Sequence, residues 1–347
     1  MRRFACERCG SVIRFDASSC PICSALLGYV PAERTVRRLH PVGDDISYEV
    51  AGVAALQWRC LNASWGCNWV LPAAEGAIWC RSCRLTRGRP DDGRPDAIAA
   101  WSLAEASKRR LVHQLDRLRL PVGAEAGATA GTLVFDLVYL PGERGLTGHL
   151  DGVVTMDLAE ADPVHRDAMR RQLGEGFRTL LGSLRHEVGH HYWRHLVVAA
   201  GDIDRFRTVF GDERLDYGDA LRHYYAGDVG PWDETRFVTA YARSHPHEDW
   251  AETFAHYLHV IDLVDSAADH GLFGADWCTD DTLPAPAGAS LVDILGLWRG
   301  IADAVDDLAE TVGSPSPYPV RPAGAVITKL AHVHACVTAA RPDPPTR

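Results

Sequence analysis

Residues 185–193 read RHEVGHHYW. His186 and His190 stand four apart, which on a helix offsets them by about 40° around the axis, so both rings leave one face and can grip one cation. Glu187 projects about 100° further round, beside such an ion, where its carboxylate can hold a water. Two imidazoles leave a tetrahedral ion incomplete. Residues 241–259, YARSHPHEDWAETFAHYLH, hold donors that could complete it. Glu248 and Glu252 are again four apart, with Trp250, Phe254 and Tyr257 as apolar companions. One carboxylate can be the third ligand while the other accepts the free N–H of a ligating histidine and fixes its tautomer. Three protein ligands with a fourth position left to water is the layout of a catalytic zinc. Asp249, His245, His247, His256 and His259 are rival donors. Asp249 ranks lower because it turns about 100° away from Glu248 and has no acidic partner one turn later.

The ten cysteines imply further metal. Cys6 and Cys9, then Cys20 and Cys23, have zinc-ribbon spacing: each CxxC is a tight knuckle offering two thiolates, and two knuckles complete a tetrahedron. Cys60 and Cys67, then Cys80 and Cys83, repeat the arrangement with one loosened knuckle. A four-thiolate site has no open position, so the expectation is two structural zinc ions beside one catalytic zinc. Cys278 and Cys336 stand apart and read as packing residues.

Hydrophobic content of 46% and charged content of 24% are those of a globular chain. No run of about 18 apolar residues is present, so no membrane-spanning segment is expected. MRRFACERCG has no apolar stretch behind its basic residues, which argues against a secretory signal and makes the cytoplasm the expected compartment. Disulfides are disfavoured there, which again favours metal. Residues 1–120 carry 18 Lys+Arg and 12 Asp+Glu; residues 121–347 carry 18 and 34. A basic head on an acidic body suggests nucleic-acid binding. Two four-thiolate zinc sites at about −2 each would nearly neutralise the head, however. Nucleic acid is therefore not an expected partner, and the ribbons are assigned to positioning or protein contact.

The elements that must position these donors follow from local pattern. RGRPDDGRPD at 87–96 closes a ribbon region over residues 1–90. A helix is expected from Asp96 to Leu120, stopped by Pro121, and strands over 132–140 and 152–158. Asp162-Pro163 opens one long, largely buried helix, with Met169, Leu173, Phe177, Leu180, Leu184 and Val188 at steps of three and four, so that the HEVGH motif lies near its end. Further helices are expected at 248–266, 289–312 and 323–340. The fold class is α+β: ribbon modules, then a mainly helical domain with a small sheet over 96–275, and a helical extension over 276–347 packing on it.

The arrangement resembles the gluzincin metallopeptidases, in which His-Glu-x-x-His is followed by a Glu ligand and, four residues on, an acidic companion. It is closest to the lethal-factor type: Tyr241, six residues, Glu248, then Ala251-Glu252-Thr253-Phe254. Over most of its length the chain is similar to a bacterial family of zinc-binding metallopeptidases with an N-terminal zinc ribbon. CNWVLPA, CRSCRL, SKRRLVHQLDRLRLP, FRTLLGSLRHEVGHHYW, FGDERLDY, HPHEDWAETFAHYLH and YPV carry that similarity. His191 stands where the family tends to have Tyr. The resemblance implies that His186, His190 and Glu248 are zinc ligands and Glu187 the general base. It further implies that Glu252 orients a ligand, Tyr241 steadies an oxyanion, and the substrate is a peptide or protein. Asp212, Glu213 and Asp216 read as cap and loop residues. Two other readings remain: a ribbon-led nucleic-acid- or protein-binding protein with a catalytically silent zinc fold, and a zinc hydrolase acting on something other than peptides.

Overall fold

A computed structural model describes residues 3–43, 46–123, 132–139, 147–173, 178–228, 230–272, 289–318 and 320–340. Cys278 lies outside them, as do residues 174–177 of the expected long helix and 124–131 of the Gly/Ala-rich link.

The head is built from short antiparallel strands. β1 (Phe4–Ala5) pairs with β2 (Val12–Ile13), and β3 (Leu27–Val30) with β4 (Thr35–Arg38). β5 (His40–Pro41), β6 (Ser47–Val50), β7 (Val53–Arg59) and β8 (Val70–Pro72) form one sheet in that order. Strands this short bury little on their own; the cysteine quartets tie them together. Cys6 and Cys23 sulfurs lie 3.6 Å apart and those of Cys9 and Cys20 3.7 Å. In the second quartet Cys67 is 3.7 Å from Cys80 and 3.8 Å from Cys83. Zinc–sulfur bonds of about 2.3 Å in a tetrahedron set sulfurs about 3.8 Å apart, whereas a disulfide needs about 2.05 Å. Both quartets therefore have the geometry of thiolate–zinc sites.

α1 (Pro95–Arg117) joins head to body. It stops short of Pro121 because Arg119 turns into the left-handed region at φ +57°. Its buried Trp101, Ala104, Leu111 and Leu115 belong to one apolar core that runs from Phe4 to Val337. Polar contacts fasten the same seam: the Tyr29 hydroxyl lies 2.7 Å from His113 Nδ1, and Arg109 donates to the Gly66 carbonyl at 3.1 Å. The head also supplies a strand to the body. β9 (Thr86–Gly88) runs parallel to β10 (Val134–Val138), which runs parallel to β12 (Val153–Asp157). The antiparallel edge strand β11 (Gly148–Leu150) closes the order β11-β12-β10-β9.

The helices that follow are α2 (Pro163–Leu173), α3 (Leu180–Trp193), α4 (Ile203–Phe210), α5 (Tyr217–Ala226), α6 (Pro246–Asp269), α7 (Leu291–Thr311) and α8 (Ala325–Ala339). The single long helix expected from Asp162 is two. Thr179 takes an extended conformation (φ −142°, ψ 157°) and its hydroxyl accepts from the Gly182 N–H, starting α3 afresh. The first half is not largely buried either; α2 has an exposed first turn.

α3 and α6 cross at their closest where Gly189 meets Ala251. A Cβ on Gly189 would lie 3.0 Å from the Ala251 Cα. A Cβ there would require the neighbouring backbone to give by a few tenths of an ångström. Beside it the Trp250 indole donates to the Gly189 carbonyl at 2.9 Å.

Candidate metal centre and catalytic cleft

The crossing places the last two turns of α3 against the first turn of α6. His186 Nε2 and His190 Nε2 lie 3.2 Å apart. Glu248 Oε2 lies 3.1 Å from the first and 3.5 Å from the second. These three atoms converge, yet Glu248 Oε2 is buried and has no hydrogen-bond partner among the described residues. Bond lengths of about 2.0–2.1 Å in a tetrahedral zinc site set ligand atoms about 3.3–3.4 Å apart. An unpartnered buried carboxylate oxygen at that spacing from two imidazole nitrogens fits a divalent cation.

The surroundings orient each donor. Glu252 Oε1 approaches His186 Nδ1 to 2.5 Å, on the far side of the ring from the converging atoms. The Tyr217 hydroxyl donates to the other oxygen of Glu248 at 2.6 Å. Burial opposes a charge on His186, but Glu252 and Glu248 outweigh it and hold its pKa well above the usual histidine range. The same opposition applies to Glu248: burial would raise it, while His190 and His186 hold it well below the usual carboxylate range. Glu187 is buried, and burial raises it above its usual range against the pull of His186 and His190.

A cavity of about 830 Å³ opens beside these groups, with His186, Glu187, Tyr241, Glu252, His256 and Tyr318 on its wall. Tyr241 sits in a short 3₁₀ turn, Tyr241–Ser244, immediately before α6. Its ring centre is 6.0 Å from that of His186. Burial first, then Glu248, raises the Tyr241 hydroxyl far above its usual range, so it stays protonated as a donor.

The rival donors are engaged elsewhere. Asp249 faces away, 2.6 Å from Lys329 Nζ on α8, with both side chains buried. His245 caps α6, its Nδ1 accepting from the His247 N–H at 3.1 Å. His247 packs edge-on against Trp193. His256 Nδ1 meets the Tyr318 hydroxyl at 2.5 Å, and His259 Nδ1 accepts from Arg185 at 2.6 Å. His191 is buried among the rings of Tyr192, His195 and His149. Asp212 and Glu213 pair with Arg214 and Arg207, and Asp216 caps α5.

Sequence reasoning missed Tyr217. Its stretch, FGDERLDYGDA, was read for its acids, and the phenol beside the Asp216 cap has no spacing signal linking it to a residue 31 positions later. Arg185 was also missed. Its guanidinium donates to Gln114 on α1 at 3.0 Å and to Asp262 on α6 at 2.6 Å, which fixes α3 from beneath the histidines.

Residues 97–336 match the family model described as "Putative zinc-binding metallo-peptidase", and residues 3–94 match a zinc-ribbon domain. The chain belongs to this zinc-binding metallopeptidase family and carries the ribbon in front of it. It is 37% identical over 347 residues to an uncharacterized protein of Mycobacterium bovis, covering 99% of this chain and 97% of that one. Uncharacterized proteins of two Mycobacterium tuberculosis strains match with the same identity and coverage. No solved structure gives a significant match. None of the described helices is long and apolar enough to cross a membrane.

Proposed function

We propose that the chain is a zinc-dependent peptidase of the gluzincin kind, with His186, His190 and Glu248 holding the catalytic metal. The observation that carries this is the convergence of three donor atoms, 3.1–3.5 Å apart: two imidazole nitrogens and a buried carboxylate oxygen without a hydrogen-bond partner among the described residues. Bound zinc supplies Lewis acidity there, lowering the pKa of a water to about 7 and polarising a carbonyl.

The protein's own groups do the rest. Glu187, on the cavity wall with its pKa raised, takes the water's proton and delivers it to the leaving amine, a role that contributes about 10²–10⁴ in rate. Tyr241 donates to the oxygen that gains charge as the amide carbonyl becomes tetrahedral. Glu252 holds the His186 ring, and Tyr217 holds the Glu248 carboxylate, so that neither ligand swings when substrate enters. A cleft of about 830 Å³ accepts a peptide segment with its side chains.

The ribbons, each with one structural zinc, brace α1 and offer a surface for protein docking. The shared core, the Tyr29–His113 contact and strand β9 support the bracing role. On this reading residues 1–90 form the ribbon region, 96–275 the peptidase, and 276–347 an extension that reaches the site's underside through Lys329.

The test is digestion of a proteome-derived peptide library by the zinc-loaded chain, read by mass spectrometry of new termini. Wild type should produce them and Glu187→Gln should not. Equal products from both overturn Glu187 as base. No products from wild type overturn the hydrolase reading and leave a binding protein on a silent zinc fold.

A further inference from the structure

A fourth convergence of metal-binding side chains lies where α8 packs against α4 and the turn that precedes it. Asp202, His332 and Cys336 bring one donor atom each within 4.8 Å of one another. His332 Nε2 stands 3.7 Å from Cys336 Sγ and 3.6 Å from Asp202 Oδ2, and Cys336 Sγ stands 3.7 Å from the same oxygen. An imidazole–carboxylate hydrogen bond would be about 2.7–3.2 Å. Zinc bonds of about 2.0–2.1 Å to nitrogen and oxygen and about 2.3 Å to sulfur set tetrahedral edges of about 3.3–3.6 Å. The trio is too wide for a direct imidazole–carboxylate hydrogen bond and within a few tenths of an ångström of a shared ion.

Two local features separate this trio from an accidental contact. Asp202 is the residue that begins α4, where an aspartate ordinarily accepts an N–H of its own first turn. Here its side chain makes no such bond and is turned toward α8. Asp202 reaches that position through a π-helical turn, Arg194–Val198, that ends α3, a distortion often found at functional sites. His332 and Cys336 are four apart on α8, so one helix face presents both, as in the HEVGH motif. The His332 ring is buried between Phe210 and Trp250. Its Nδ1 has no hydrogen-bond partner among the described residues, so its polar contacts lie on the Nε2 side.

We infer that Asp202, His332 and Cys336 form a further metal site, for zinc or another thiophilic divalent cation, that clamps α8 to the start of α4. Imidazole, thiolate and carboxylate together select a borderline cation over magnesium or calcium. The Asp202 side chain is partly exposed while His332 and Cys336 are buried, so an ion enters from the carboxylate side. The same helix presents Lys329, one turn before His332, to Asp249 next to Glu248. The clamp therefore sets the position of the helix that supports the first turn of α6.

The test counts zinc in the intact, zinc-loaded chain by native mass spectrometry. Cys336→Ala and Asp202→Ala should each hold one zinc fewer than wild type, with circular dichroism unchanged. Asp202 is partly exposed, so its variant decides the matter if Cys336→Ala does not fold. Cys336→Ala combined with Glu248→Ala should lose two. A wild-type count in both single variants overturns the site and leaves a hydrogen-bonded trio. Each count is compared with that of wild type, so a Glu248→Ala chain that keeps all its zinc would overturn the catalytic ligand set and leave this inference standing.

Discussion

Gly189→Ala tests the helix crossing on which the site depends. In an isolated helix the change should stabilise by about 1 kcal/mol. At this position the new methyl would meet the Ala251 Cα at 3.0 Å, its carbonyl oxygen at 3.1 Å and its Cβ at 3.4 Å. Carbon atoms pack best at about 3.5–4.0 Å, so α3 and α6 must part by about 0.5 Å. Overpacking of this kind costs about 1–3 kcal/mol, and the net effect should be a loss of about 0–2 kcal/mol. Gly300 in α7 is the control, since an added Cβ there meets nothing within 4 Å. Gly300→Ala should gain about 0.5–1 kcal/mol from propensity alone. Urea denaturation of the zinc-loaded variants measures both. The same separation pulls Glu248 from His186 and His190, so zinc affinity should fall in Gly189→Ala and not in Gly300→Ala, tenfold for each 1.4 kcal/mol lost. If Gly189→Ala gains as much stability as Gly300→Ala and keeps wild-type zinc affinity, the close approach does not govern the site.

Tyr217→Phe removes the donor to Glu248 and should weaken zinc binding about 10–100-fold without altering the fold, as read by competition with a chromophoric chelator. Tyr241→Phe keeps the ring on the cavity wall; steady-state kinetics should show kcat falling about 10²–10³-fold with KM little changed. Lys329→Met leaves buried Asp249 without its cation. Burial already raises that carboxyl to about 7, so it should take up a proton, and the loss in chemical denaturation near neutral pH should stay below the ~3–5 kcal/mol of a stranded charge. Acid titration should show His256. Burial lowers its pKa to about 3, while the unfolded chain binds that proton near 6.5. Below about pH 6.5 only the unfolded state gains the proton, so stability falls as pH drops toward about 3, by up to about 1.4 kcal/mol per unit from this residue. His256→Phe should flatten that part of the stability–pH curve; an unchanged slope refutes a neutral His256.

What could be read from sequence was what local spacing encodes. His186 with His190, Glu248 with Glu252, and the CxxC pairs Cys6–Cys9, Cys20–Cys23 and Cys80–Cys83 stand three or four residues apart, where helix or knuckle geometry brings each pair to one side. α1, α6, α7 and α8 were placed within a few residues because their apolar steps run for several turns. The Asp162 helix was over-extended because apolar spacing continues across Gly174 and Gly176, and only the Thr179 cap shows the restart. Contacts across the fold left no pattern: Tyr217 to Glu248, Lys329 to Asp249, and the pairing of β9 with β10 join segments tens of residues apart. Cys336, read as a packing residue, sits four residues after a histidine. That spacing was a signal, but its third partner, Asp202, is 130 positions from His332 and could only be seen in three dimensions.

The ligand set is tested most directly by counting zinc in Glu248→Ala and Asp249→Asn beside wild type, in intact chains by native mass spectrometry. The geometry predicts one zinc fewer in Glu248→Ala and a wild-type count in Asp249→Asn, because Glu248 faces His186 and His190 while Asp249 faces Lys329. A wild-type count in Glu248→Ala, or the loss of a zinc from Asp249→Asn alone, would contradict the site.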